Sequence, residues 1–119
     1  MKENAIKTKS FDFALRIVKL YQFLRKEENE FVMSKQLLRS GTSIGANVRE
    51  GEHAESKADF IHKMAIALKE ANETEYWLLL LHRSDFLSKK AFESIDKDLK
   101  EILKILISIV KTSRQNKDK

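Results

Sequence analysis

A chain of 119 residues with 42% hydrophobic residues can build one core but not two, so we expect a single domain over residues 1–119. The absence of proline and cysteine, with only three glycines, excludes disulfides and argues against hairpin-rich folds, which leaves an all-α class. The net charge of +5 comes from the two ends of the sequence, because residues 1–30 carry +2, residues 84–119 carry +3 and residues 31–83 carry none.

The sequence offers no segment for a membrane. Residues 1–10 are charged, and the longest apolar run, residues 76–81, is far shorter than the roughly 20 residues that a membrane-spanning helix needs. Together with the absence of cysteine, this leads us to expect a cytoplasmic protein without a membrane partner.

The first predicted helix covers residues 11–26. Residues 1–9 show no apolar pattern, so we expect a loosely ordered start and a helix that is capped by the Ser10 hydroxyl. An apolar row at heptad spacing predicts the core side of the helix. Its members are Phe13, Ile17, Leu20 and Leu24, while Lys9, Arg16, Lys19 and Lys26 lie on the opposite side.

The second predicted helix covers residues 31–52 and follows a charged connection in which Asn29 is a candidate cap. Its core row contains two glycines among Leu37, Gly41, Ile44, Val48 and Gly51. Each glycine inside a helix costs about 1 kcal/mol relative to alanine, so we expect another helix to pack closely against this one. A turn at residues 53–56 would place Met64 over Gly45 and Leu68 over Gly41.

The third and fourth predicted helices cover residues 57–82 and 89–112. Ser56 and Asp59 form a capping-box pattern before the third helix, and Ser88 is a candidate cap for the fourth. The third helix has a core row of Phe60, Met64, Ala67, Ala71, Thr74, Leu78 and Leu81, with an adjacent row at the same spacing of Ile61, Ala65, Leu68, Asn72, Glu75, Leu79 and His82. The core row of the fourth helix is Phe92, Ile95, Leu99, Ile102, Leu106 and Ile109. We expect the end of the chain, from residue 114 onward, to fray.

Four helices with short connections predict an antiparallel up-down-up-down four-helix bundle. The third helix also has apolar residues outside its core row, namely Ile66, Trp77 and Leu80. A helix that is apolar on nearly every side is buried on nearly every side, so we expect the bundle to self-associate through these residues. The alternative for Trp77 is that it stacks on nucleobases.

The segment QLLRSGTSIGANVREG, followed by AESKADFIHKMAIALKEANETEYWLLLL, resembles the small bacterial 23S ribosomal RNA intervening-sequence proteins. The specific part is the order Arg39, Ser40, Ser43, Ile44, Asn47, Glu50, Gly51, Asp59, Phe60, Ile61 and Glu75. The resemblance implies a four-helix fold and a homo-oligomer, a ring of five. That family is similar to the accessory protein of diversity-generating retroelements, a basic pentameric barrel that binds nucleic acid and a reverse transcriptase.

A polar row on the second helix has two interpretations. Its members, Arg39, Ser43, Asn47 and Glu50, form either a binding site or a structural or interface network with carboxylates of the third helix such as Glu70, Glu73 or Glu75. We favour the structural network, because buried polar groups need partners. On this interpretation Arg39 hydrogen-bonds a glutamate of the third helix, in its own or a neighbouring subunit.

Basic residues on the first and fourth helices are the candidate nucleic-acid interface. They are Arg16, Lys19, Lys26, Lys97, Lys100, Lys104 and Lys111. In a bundle these two helices are neighbours, and nucleic-acid phosphates are a natural ligand for such a face. The alternative is a solvated face with pairs between Glu93 and Lys97 and between Asp96 and Lys100.

The sequence gives little support for catalysis. Glu50 with His53, and Asp59 with His62, have the spacing of metal ligands, but both pairs lie at the turn between the second and third helices, so we expect no metal and no cofactor. No nucleophile or phosphate-loop motif is present. We therefore expect a non-enzymatic homo-oligomer that binds RNA, DNA or a nucleic-acid-processing protein. The alternative is a protein-interaction scaffold.

Overall fold

The computed structural model describes residues 2–117 and contains four helices. They are α1 (Lys2–Lys26), α2 (Met33–Glu52), α3 (Lys57–Arg83) and α4 (Lys89–Lys117). Each helix packs against the next, and α1 also packs against α4, whereas the diagonal pairs make no close backbone contact within this range. The all-α four-helix arrangement that the sequence predicts is therefore confirmed.

The neighbouring helices α2 and α3 run in opposite directions. Ser40 lies against Thr74 with 3.0 Å between the two hydroxyls, and ten residues later Glu50 accepts from Lys63 at 3.0 Å. Residue numbers thus rise along one helix as they fall along the other. The described helices include none with the length and apolarity that crossing a membrane requires.

The core is formed largely by the predicted apolar rows. The members that are buried are Phe13, Ile17, Leu24, Leu37, Ile44, Val48, Met64, Ala67, Ala71, Leu78, Leu81, Ile95, Leu99, Ile102, Leu106 and Ile109. Thr74 is also buried, and its hydroxyl donates to the Glu70 carbonyl at 2.8 Å, so this polar member of a core row is satisfied.

Helix α1 begins at Lys2, nine residues before the predicted start, so the expected loose start and the Ser10 cap are both wrong. Ile6 is 1% exposed and extends the apolar row by one heptad before Phe13, which anchors these first turns on the core. Ser10 lies inside the helix and is buried, and its hydroxyl donates to the Lys7 carbonyl at 3.3 Å.

Helix α2 is capped by Glu30 and not by Asn29. The Glu30 carboxylate accepts from the backbone N–H groups of Val32, Met33 and Ser34 at 3.2, 3.0 and 2.6 Å. Asn29 has a φ of 53°, a left-handed conformation that asparagine tolerates, and it turns the chain between the two helices. The three free N–H groups at the start of α2 are thus satisfied by one buried side chain.

Gly41 and Gly45 pack against α1 and not against Leu68 and Met64 of α3, so the predicted pairing is wrong. A Cβ on Gly41 would lie 2.8 Å from Cγ1 of the buried Ile17. The prediction assumed contact with the next helix in the chain, whereas α2 turns its small residues toward the preceding one.

The other two glycine contacts complete this arrangement. A Cβ on Gly45 would lie 3.3 Å from the Ser10 carbonyl oxygen, so the backbones of α1 and α2 approach closely there. Gly51, the last residue but one of α2, takes the contact with Met64, whose Cε would lie 2.5 Å from an added Cβ.

The predicted caps of α3 and α4 are present. The Ser56 hydroxyl accepts from the Asp59 N–H at 3.0 Å, and the Ser88 hydroxyl accepts from the Ala91 N–H at 3.1 Å. Helix α4 continues to Lys117, where the sequence predicted fraying from residue 114. The rest of that predicted frayed end, residues 118–119, lies outside the described residues.

Candidate nucleic-acid interface

The outer face of α4 carries three exposed lysines, Lys97, Lys104 and Lys111, which we call the α4 lysine row. They recur every seven residues, about two helical turns, so they share one face of the helix. The fully buried Leu99 and Leu106 each follow a lysine by two residues, about 200° around the helix, so the row points away from the core. Among the described side chains, none of the three lysines forms an ion pair.

Acidic residues that border the row are paired with α1. The Asp98 carboxylate accepts from Arg16 at 2.7 Å, and Glu101 accepts from Lys9 at 3.0 Å. The hydrogen bond and charge of Glu101 raise the pKa of Lys9. These exposed pairs add little stability, but they neutralise Asp98 and Glu101 and leave the charge of the row in excess.

The remaining predicted phosphate-binding residues differ in whether a carboxylate of the protein already pairs with them. Arg16 is engaged by α4 as described, and Lys100 pairs with Glu75 of α3, a hydrogen bond that raises the pKa of Lys100. Both cations already have a carboxylate partner. The exposed members on α1 are Lys19 and Lys26.

The ion pairs observed on α4 differ from the pairs that the sequence predicts for a face on which positive and negative charges balance. Glu93 lies 3.8 Å from Lys89 and, among the described contacts, forms no pair with Lys97. Lys100 turns toward α3 although Asp96, one turn earlier, also contributes to its raised pKa. The lysine row therefore lacks the i, i+4 partners of a fully compensated helix surface.

Arg39 makes the predicted contact with α3. Its Nη1 donates to Glu70 at 3.0 Å, and its Nη2 donates to Glu73. The Trp77 indole N–H also donates to Glu73 at 3.0 Å. This hydrogen bond, and secondarily the Arg39 guanidinium, lower the pKa of the Glu73 carboxyl against the opposing effect of burial.

The rest of the polar row does not join Arg39 in one network. The Asn47 amide donates to the carbonyl and hydroxyl of Ser43 at 2.9 and 3.1 Å, within α2 itself. Glu50 pairs with Lys63, and its hydrogen bond raises the pKa of that lysine. Because Glu75 pairs with Lys100, separate local contacts take the place of the predicted network. The division follows from the rotation of each helix, which spacing alone does not give.

Comparison with known proteins identifies the family. A sequence model described as 23S rRNA-intervening sequence protein matches residues 2–108. The chain belongs to this family. A crystal structure of a protein of unknown function from the S23 ribosomal protein family of Bacteroides thetaiotaomicron is 64% identical, with a TM-score of 0.92. The match covers 93% of this chain and 99% of that chain. No curated protein matches.

The predicted interface residues of this intervening-sequence protein, Ile66, Trp77 and Leu80, are half-buried. Trp77 packs against the core, and its ring meets that of Tyr76 edge to face at 5.0 Å. The three residues therefore offer less apolar surface than the sequence predicted, because α3 contacts both α2 and α4.

A more exposed apolar surface, which sequence reasoning missed, lies on α1. Phe11, Leu15 and Val18 are 52%, 50% and 37% exposed, and we call them the α1 apolar stripe. Their spacing of four and three residues puts them on one side of α1. That spacing is visible in the sequence, but an apolar pattern alone does not tell that Phe11 and Val18 face solvent and not the core.

A groove lies beside this stripe, between α1 and α2, with a volume of about 250 Å³. The groove is lined mainly by small residues, because this part of α2 carries small side chains. They include Ala14, Thr42, Gly45 and Ala46, with Phe11 at the rim. A protruding phenylalanine next to a shallow groove is a shape that a second helix can fit.

The two metal-ligand spacings do not converge. Within the described residues, His, Cys, Asp and Glu side chains form no group of three or more that could hold a metal ion. Glu50, a member of one spacing, is paired with Lys63.

Proposed function

We propose that this intervening-sequence protein is a non-enzymatic binding protein that holds nucleic acid on the α4 lysine row. The observation that carries the proposal is the line of three exposed lysines, two of whose acidic neighbours, Asp98 and Glu101, are paired with α1. Lysine binds phosphate by charge and releases condensed counterions as it does so. Contacts of this kind position a nucleic acid but do not read its sequence.

The dimensions of the row suit a nucleic-acid backbone. Lys97 and Lys111 are 14 residues apart, which corresponds to about 21 Å along a helix. This length covers about six nucleotide steps at about 3.4 Å per step along one strand of a duplex. One bundle thus contacts a short stretch of backbone, and several bundles would extend the contact.

Self-association is the second part of the proposal. The α1 apolar stripe and its groove favour contact with another copy, because a large exposed apolar patch usually marks an interaction surface. The resemblance implies five copies, and a ring would repeat the lysine row around the assembly. A cytoplasmic nucleic-acid-processing protein is a further partner that such a ring could recruit.

The test is the salt dependence of binding to a labelled RNA and a labelled DNA, measured by fluorescence anisotropy. We expect the affinity to fall steeply with salt. In the variant K97Q/K104Q/K111Q the slope of log affinity against log salt should decrease by roughly 0.9 for each lost phosphate contact, about 2.7 in all.

The matched control removes the same charge from other faces. Lys35, Lys69 and Arg83 are exposed on α2 and α3, and K35Q/K69Q/R83Q should leave the slope nearly unchanged. Equal losses in both triple variants would mean that net charge, and not the row, drives binding. No measurable binding by the unmodified protein would refute the proposal.

A protein-interaction scaffold is the second candidate, and a different observation favours it. Phe31 and Val32, in the connection between α1 and α2, are 53% and 75% exposed, and Arg25 lies over the Phe31 ring at 5.5 Å. Apolar side chains at one end of the bundle suit a protein partner. Absence of salt-dependent nucleic-acid binding would favour this candidate.

A further inference from the structure

A cleft of about 560 Å³ opens between α1 and the start of α4. Its volume lies within the range of about 300–1,000 Å³ that is usual for small-molecule sites. The lining residues are Arg16, Lys19, Leu20, Leu87, Ser88, Lys90, Ala91, Ser94 and Ile95. Three of these are basic and none is acidic, so the cleft favours an anionic ligand.

The free positive charge of the cleft belongs to two lysines. The Arg16 guanidinium is occupied by Asp98 at 2.7 Å and by the Ser94 hydroxyl at 2.9 Å. Lys19 and Lys90 are exposed and, among the described side chains, form no ion pair. They can therefore bind an anion without breaking an existing pair.

Apart from its basic residues and two serines, the cleft is lined by apolar side chains. Leu87 and Ile95 are buried side chains, 4% and 3% exposed, and Leu20 packs beside the core. The Ser88 hydroxyl accepts from the Ala91 N–H at 3.1 Å as the cap of α4, so that N–H is not free for a ligand. A ligand that fits has an apolar body and a negative group near its edge.

The cleft is continuous with the α4 lysine row. Lys90 precedes Lys97 by seven residues, the spacing that separates the members of the row, so it lies on nearly the same line. A backbone that follows the row toward the start of α4 therefore arrives at Lys90 and the mouth of the cleft. The anionic edge of the ligand is then a phosphate of the same strand.

We propose that this cleft receives one base of a single-stranded nucleic acid whose backbone lies on the α4 lysine row. Lys19 and Lys90 bind the phosphates beside that base, and the leucine and isoleucine side chains contact its faces. This inference rests on the proposed function and adds a preference for single strands. A duplex keeps its bases paired and stacked, so unpairing opposes its entry into the cleft.

The experiment compares a labelled single-stranded RNA of about ten nucleotides with the duplex of the same sequence, by fluorescence anisotropy at one salt concentration. The unmodified protein should bind the single strand more tightly. Ala91→Leu fills part of the cleft without changing its charge and without adding an aromatic ring on which a base could stack. It should weaken single-strand binding about tenfold, the contribution of one bound base, and leave duplex binding unchanged.

Ala58→Leu is the matched control, because Ala58 is an exposed alanine in the first turn of α3. It should leave both affinities and, like Ala91→Leu, the thermal unfolding temperature nearly unchanged. Equal binding of single strand and duplex, with no effect of Ala91→Leu, overturns the proposal that the cleft binds a base and leaves the proposed function standing. Absence of binding to either probe overturns both.

Discussion

Glu30 is a charged side chain that is only 8% exposed, and its partners are backbone N–H groups. Burial acts to raise the pKa of its carboxyl, but the N–H groups of Ser34, Met33 and Val32 together lower it. The carboxylate therefore stays ionised at the positive end of the α2 dipole. One residue thus fixes both the start of α2 and its connection to α1.

We expect Glu30→Gln to lower the free energy of unfolding by about 1–3 kcal/mol at pH 7, because a neutral amide replaces the charged acceptor of three hydrogen bonds. Since the folded pKa is depressed, this contribution is present above the ordinary pKa of 4.5 and is lost as the pH falls through the folded pKa. Urea unfolding followed by circular dichroism at several pH values measures the difference.

The control for this change is Glu27→Gln, which alters an exposed carboxylate in the same connection and should have little effect at any pH. Glu30→Gln and the unmodified protein should become similar in stability at acid pH. A difference between them that stays constant from pH 7 downward would mean that the ionised state of Glu30 is not what stabilises α2.

Helix α2 is the element in which packing restricts the size of the side chains most. Gly41 meets the buried side chain of Ile17, whereas Gly51 meets the mobile end of Met64. All three glycines of the chain have ordinary negative φ angles, so none is needed for backbone conformation. The effect of an added methyl group on the free energy of unfolding therefore depends on the space that is available at each position.

We expect Gly41→Ala to destabilise the protein more than Gly51→Ala does. At Gly41 the added Cβ overlaps a branched side chain that is 0% exposed and cannot move, so the protein should lose about 1–3 kcal/mol despite the helix preference of alanine. At Gly51 the Met64 methyl can turn away, and the change should stay within about 1 kcal/mol. Urea unfolding of the two variants tests this, and an equal loss in both would contradict it.

The core rows of all four helices were predictable because residues at heptad spacing lie on the same side of a helix. The start of α1 was not predicted, although Ile6 lies one heptad before Phe13, because it is the one large apolar residue in a segment of mostly charged and polar residues. The cap of α2 was assigned to Asn29 because short side chains are the usual caps. Glu30 reaches the same N–H groups only because the connection folds back over the helix.

At the scale of the whole molecule, charge patterns were easier to predict than contacts between helices. The α4 lysine row follows from spacing alone, since Lys97, Lys104 and Lys111 must share a face. The partners of Arg16 and Lys100 depend on how α1 and α3 are rotated against α4. For the same reason the polar row of α2 looked like one network and is several local contacts.

Two separate surfaces of the bundle suit two separate partners. The α4 lysine row is polar and positively charged, whereas the α1 apolar stripe lies on another helix and has a groove beside it. A second copy that covers the stripe would leave the row accessible. Self-association and phosphate binding are therefore compatible, and each can be abolished without the other.

We expect the unmodified protein to have a solution mass that is a multiple of 13.9 kDa at micromolar concentration, and Leu15→Glu to reduce it to a monomer. Leu15 is 50% exposed at the middle of the stripe, so a carboxylate there is solvated in the monomer and buried unpaired in the assembly. Ile107→Glu is the control, because Ile107 is 53% exposed on α4 and the assembly should tolerate it. Sedimentation equilibrium distinguishes the outcomes. If the oligomer persists in Leu15→Glu, the contact between copies lies on another face. A monomeric unmodified protein would exclude self-association.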